Sequence, residues 1–95
     1  MHFLIRAHDG AGLLERRLEV RESHLVNVEE SKSSGVLLYA AAMLDDQDRP
    51  KGSVLIVDFP NRDELDAWLR TEPYVIHQVW ESIDVEPIRA APSFA

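Results

Sequence analysis

Between His2 and His8 apolar and polar residues alternate, with Phe3, Ile5 and Ala7 on one side and His2, Leu4, Arg6 and His8 on the other. A period of two belongs to an extended chain, so the pattern predicts a first strand. Asp9-Gly10-Ala11-Gly12 breaks it with two glycines, as a loop does. From Leu13 to about Ser33 the period lengthens. Leu14, Leu18, Leu25 and Val28 share a narrow arc of a 3.6-residue wheel, and Glu15, Glu19, Glu22 and Glu29 lie largely outside it. This predicts a long helix whose leucine face packs on a sheet, and Gly35 suits the left-handed position after a helix C-terminus.

Val36 to Leu44 is apolar on both alternating sets, which predicts a second strand buried on both faces. Its three alanines would also suit a helix, but the glycine before it and the turn after it favour the strand. Asp45 to Gly52 reads as a polar hairpin loop, and Ser53 to Phe59 as a third strand rich in β-branched residues. Asn61 can cap a second helix, with Glu64 three residues later as a capping box requires, and Leu65, Trp68 and Leu69 form its buried face. Pro73 stops that helix near Thr71 and suits the start of a short segment from Tyr74 to Gln78. Trp80 to Ile88 alternates again as a fourth strand, with Ile83 and Val85 on one face, and residues 90–95 form a tail.

The order strand, helix, strand, strand, helix, strand predicts an α+β, ferredoxin-like split βαβ fold, with both helices on one face of an antiparallel four-stranded sheet. Residues 1–95 fit one domain. At that length the chain buries only about two thirds of the surface its unfolded form exposes. The uncovered sheet face carries apolar residues, and a second copy of the chain is the economical cover, so a homodimer is expected.

Charge and composition narrow the partners. The formal net charge is −7 and the basic residues are scattered among acids, which disfavours nucleic acid and anionic membrane. No apolar run approaches the roughly 20 residues that span a bilayer, and the N-terminus lacks the pattern of a signal peptide, so a cytoplasmic protein is expected. Without cysteine there is no disulfide, thiolate nucleophile or thiolate metal site. His2 and His8 share a strand face too far apart to hold one ion, and no His-x-His or His-Glu-x-x-His spacing occurs, so no metal is expected. Gly10 and Gly12 form Gly-x-Gly without the rest of a phosphate-binding fingerprint, and no nucleotide or other cofactor is expected.

Four stretches resemble one family over nearly the whole chain. Ala7-His8-Asp9 is similar to an Ala-x-Asp turn after the first strand. Leu18 with Arg21-Glu22-Ser23-His24-Leu25 is similar to a Leu-x-x-Arg-x-x-His-Leu helix. Gly35-Val36-Leu37-Leu38 matches a glycine before a hydrophobic strand, and Glu72-Pro73-Tyr74-Val75 resembles an Asp-Pro-Tyr/Phe-Val signature. Together they resemble the YCII-related (YciI-like) proteins. The resemblance implies a dimeric α+β barrel of ferredoxin-like subunits, with a pocket where the family histidine faces the acid of the Asp-Pro step. One branch of that family removes chloride from a chlorinated hydroxyquinol. Two departures stand out: Glu72 replaces the aspartate, and Ala41-Ala42-Met43 stands where many members have Gly-Pro.

His24 sits at the margin of the helix's apolar face, near Arg17 and Val28 on the wheel. A carboxylate against the ring would fix its tautomer and stabilise its proton, making a general acid and base near neutral pH without any cofactor. Glu72 is the first candidate partner and Asp9 the second. Tyr74 and Trp80 are candidate pocket walls, and His77 could approach the same cavity from the segment after Pro73. Three functions follow: a small enzyme moving a proton on an aromatic or enolisable substrate by elimination, isomerisation or lyase chemistry, a non-catalytic dimeric small-molecule-binding or accessory module, or a purely structural dimer with no pocket.

Overall fold

Phe3, Ile5 and Ala7 are buried as their alternation predicts, because their strand lies inside the sheet and faces the helices. A computed structural model describes residues 1–95. It gives β1 (His2–Asp9), α1 (Leu14–Ser33), β2 (Leu37–Leu44), β3 (Pro50–Asp58), α2 (Arg62–Leu69), α3 (Pro73–Ile76) and β4 (Trp80–Ile88), with a final 3-10 turn at Pro92–Phe94. The strands run antiparallel in the order β2-β3-β1-β4. This is the expected α+β, ferredoxin-like arrangement. The third strand begins at Pro50, three residues before its expected start, and shortens the hairpin loop.

Register fixes what faces what. Phe3 pairs with Val57, Ile5 with Leu55 and Ala7 with Ser53, so this row points to the helices and carries most of the buried apolar strand residues. The intervening row, with Leu4 opposite Ile56 and Arg6 opposite Val54, points the other way. β1 and β3 approach closely at His8 and Gly52, where any Cβ on Gly52 would collide with the Ala7 carbonyl oxygen. Gly35 adopts φ +84° beyond the end of α1, as anticipated for that position. Asn61 caps α2 by accepting the Glu64 amide at 2.9 Å.

Two expectations are corrected. β2 is not buried on both faces: it is an edge strand, and only Leu37 along it is buried. Its apolar residues instead form one wall of a cleft and part of the open sheet face. Nor does α1 dock through its leucines, since Leu18 is 54% and Leu25 42% exposed. The residues it buries are Arg17, His24 and Ser31, one heptad apart along one stripe of the helix. Each meets a polar partner from another element, so α1 is seated through hydrogen bonds as well as through the half-buried Val20 and Val28.

Candidate functional site

His24 is 8% exposed and its Nδ1–H donates to Glu72 Oε1 at 2.5 Å. Glu72 is completely buried, a costly place for a carboxylate unless donors surround it. Three do: the His24 ring, the Tyr74 amide at 3.1 Å on the same oxygen, and the Asn27 side-chain amide at 2.6 Å on Oε2. Glu72 therefore caps α3 and grips the imidazole together, and the methylene it has beyond aspartate is accommodated. With Nδ1–H held by the carboxylate, the neutral ring carries its lone pair on Nε2, which has no protein partner.

Aromatic rings set the imidazole plane. Tyr74 stacks on it with centroids 4.1 Å apart and planes 16° from parallel, and Trp80 meets it edge-on at 6.4 Å. Burial pushes the Tyr74 phenol above its usual pKa, against the opposing charges of Arg17 and Arg21. The Arg17 guanidinium lies 4.6 Å from the centroid of the same Tyr74 ring. Arg17 and His24 are two turns apart, about 10 Å along the helix, and the tyrosine ring fits that gap.

Asp9 does not reach His24. It continues the inward row of Phe3, Ile5 and Ala7, and there it accepts two hydrogen bonds from Arg17 Nη1, at 2.8 and 3.1 Å. Arg17 Nη2 donates to Ser53 Oγ at 3.0 Å, which fixes the guanidinium across β1 and β3. Burial raises the Asp9 pKa, and the Arg17 charge lowers it by less. His77 is exposed at the end of α3 and lines no cavity with His24. Trp80 lies behind the imidazole, outside the cleft wall, with its buried Nε1–H unbonded. Tyr74 lines the cleft.

The cleft, about 340 Å³, runs between α1 and the β2–β3 edge, with His24 on one wall and Tyr74 nearby. Leu18, Leu25 and Val28 form the helical wall, while Ala40, Ala42 and Leu55 face them from the sheet. The volume falls at the lower end of small-molecule sites. Sequence reasoning missed Arg17, Asn27 and Ser53. The signal for Arg17 was its heptad spacing from His24 and Ser31. Nothing local marks Asn27 or Ser53, whose roles arise from contacts 45 and 36 residues away in sequence. No group of three or more acidic or histidine side chains is placed to hold a metal ion, and no helix is long and apolar enough to cross a membrane.

Fold and site together define a ferredoxin-like α+β domain with a buried histidine–carboxylate pair at a cleft. The chain belongs to the YCII-related domain family, whose model matches residues 1–89. It is 35% identical to Protein YciI of Escherichia coli O6:H1 over 95 residues, covering 94% of this chain and 97% of that one. In structure it is similar to the 5-chloro-2-hydroxyhydroquinone dehydrochlorinase of Burkholderia phenoliruptrix, solved with 2,5-dihydroxybenzoquinone. That likeness has a TM-score of 0.86 at 23% identity and covers 98% of both chains. An antibiotic biosynthesis monooxygenase shares the fold at a TM-score of 0.57 and 20% identity, over 96% of this chain and 98% of the other.

Proposed function

We propose that this chain is a small cofactor-free enzyme in which His24 and Glu72 move a proton on an aromatic or enolisable substrate held in the cleft. The observation that carries the reading is the fully buried Glu72 carboxylate on His24 Nδ1, which leaves Nε2 as a free base on a ring that lines the cavity. Nε2 takes a proton from carbon next to a carbonyl, or next to the carbonyl of a phenol's keto tautomer, and the electron pair of that C–H bond moves through the carbon–carbon bond onto the carbonyl oxygen as an enolate. Glu72 stabilises the imidazolium so formed. Return of the proton at another carbon gives isomerisation, and departure of a β-substituent with the electron pair gives elimination. The second outcome accords with the dehydrochlorinase name of the structural relative.

The same reading includes a second copy of the chain. Leu4, Val54 and Ile56, with Tyr39, Ala41 and Met43 beside them, form an apolar patch on the sheet face away from the helices. Pairing two such faces would bury both patches, and light scattering is expected to give the mass of two chains.

Chloride release from 5-chloro-2-hydroxyhydroquinone and conversion of cyclohex-3-enone to cyclohex-2-enone test the chemistry. His24→Gln is expected to slow turnover about a hundredfold or more while circular dichroism stays unchanged. Turnover that survives the substitution defeats the reading.

A further inference from the structure

Fourteen side chains line the cleft and none is aspartate or glutamate, although acids outnumber lysine and arginine 17 to 10 in the chain. The two carboxylates that support the wall are occupied from behind, Glu72 by His24, Asn27 and Tyr74 and Asp9 by Arg17. Of the basic wall residues, Arg17 is held by Asp9 and Ser53, and His24 by Glu72. Arg21 differs from both: it lines the cleft, is exposed, and bonds to no protein acceptor. It lies one turn from Arg17 and one turn from Leu25, both of them wall residues. Arg21 and Tyr74 line the same cleft. The Tyr74 hydroxyl likewise has no protein partner.

We infer that Arg21 anchors an anion, and that the cleft takes a small organic carboxylate whose planar, apolar body lies against Leu25, Ala40 and Tyr74. The inference rests on the acid/base reading only in setting the remainder of the ligand beside His24. A guanidinium offers two parallel N–H groups that match a carboxylate, and an unpaired one beside apolar walls gains most from such a partner. A neutral ligand would leave Arg21 without a counter-charge, and a cationic one would be repelled by it. The cleft volume of about 340 Å³ suits a single ring bearing one or two substituents.

Titration of the full chain with benzoate, benzamide, benzylammonium and inorganic phosphate, followed by NMR amide shifts, tests this. Benzoate is expected to bind roughly tenfold tighter than benzamide, shifting Arg21, Leu25 and Ala40. Arg21→Gln should bring benzoate to the benzamide level, whereas Arg16→Gln, an exposed arginine outside the cleft, should change nothing. Equal binding of benzoate and benzamide, a preference that survives Arg21→Gln, phosphate matching benzoate, or no shift with any probe overturns the inference. Benzoate binding in a chain without turnover would sink the acid/base reading alone. Turnover of carboxylated and neutral substrates alike, unmoved by Arg21→Gln, would sink the anion anchor alone.

Discussion

Helix α1 receives two buried carboxylates at positions seven residues apart, Asp9 on Arg17 and Glu72 on His24, and the two pairs share most of their construction. Each acid comes from outside the helix and each basic side chain touches the Tyr74 ring. In each pair both side chains are at least nine-tenths removed from solvent. They differ in the basic partner. A guanidinium keeps its proton at any pH a protein survives, so Asp9–Arg17 acts as a fixed strut. An imidazole has two ring nitrogens and can bind or release a proton at the free one, so under the proposed function the same architecture one heptad on serves as a relay. The strut also serves the relay, because the tyrosine that Arg17 covers is the one on which His24 stacks.

Breaking the strut is expected to have the largest effect. Arg17→Met leaves the Asp9 carboxylate without a counter-charge in a buried site, which costs about 3–5 kcal/mol. Replacing both partners with apolar residues, Asp9→Leu with Arg17→Met, should recover most of that loss, because no charge then remains to be desolvated. Urea unfolding of the two single variants and the double variant gives the comparison directly. A cost under about 1 kcal/mol for Arg17→Met would place the pair among surface ion pairs and remove its role as a strut.

The relay should fail in the opposite sense. Glu72→Gln keeps the shape of the side chain and sets one amide group against a donor, so stability should fall by about 1–3 kcal/mol. Turnover should fall about a hundredfold or more, since the imidazolium loses its counter-charge. Arg17→Met would thus be read chiefly in unfolding and Glu72→Gln chiefly in rate. If the two variants lose rate and stability in the same proportion, strut and relay are not separable.

How much of this the sequence shows depends on how local the cause is. The strands β1 and β3, the Asn61 cap and the left-handed Gly35 each follow from a few neighbouring residues, and their patterns predict them. Glu72 opposite His24 became legible through its place in a family signature, because no periodicity brings residues 48 apart together. The glycines after it make Asp9 read as a loop residue, whereas the strand runs one residue further and places it next in the inward row of Phe3, Ile5 and Ala7, against a partner that no local pattern marks. Arg17 looks like a surface arginine until Asp9 and Ser53 arrive from two strands. The leucines of α1 misled for a related reason. Apolar periodicity marks a face that avoids water, and here that face lines a cleft open to ligand while the polar heptad faces the core.

The smallest expected effect separates the buried acid from an exposed one by the sign of its pH dependence. Asp45 accepts the amide protons of Gln47 and Arg49 in the β2–β3 turn, at 2.8 and 3.0 Å, and these bonds, the Arg49 one first, hold its pKa below 3.8. Its contribution to stability is therefore present above pH 3.8 and is lost as pH falls through the depressed value. Asp9 has the opposite displacement, raised by burial more than Arg17 lowers it. Its contribution is complete below pH 3.8 and is lost as pH rises through the raised value, because the native state then holds a proton that the unfolded chain has released. Urea midpoints measured from below pH 3.8 upward should show the wild type losing ground to Asp9→Asn and gaining on Asp45→Asn. A wild type that gained on both variants would mean that the Arg17 guanidinium outweighs desolvation at Asp9, and the strut would then be stabilised by ionisation instead of strained by it.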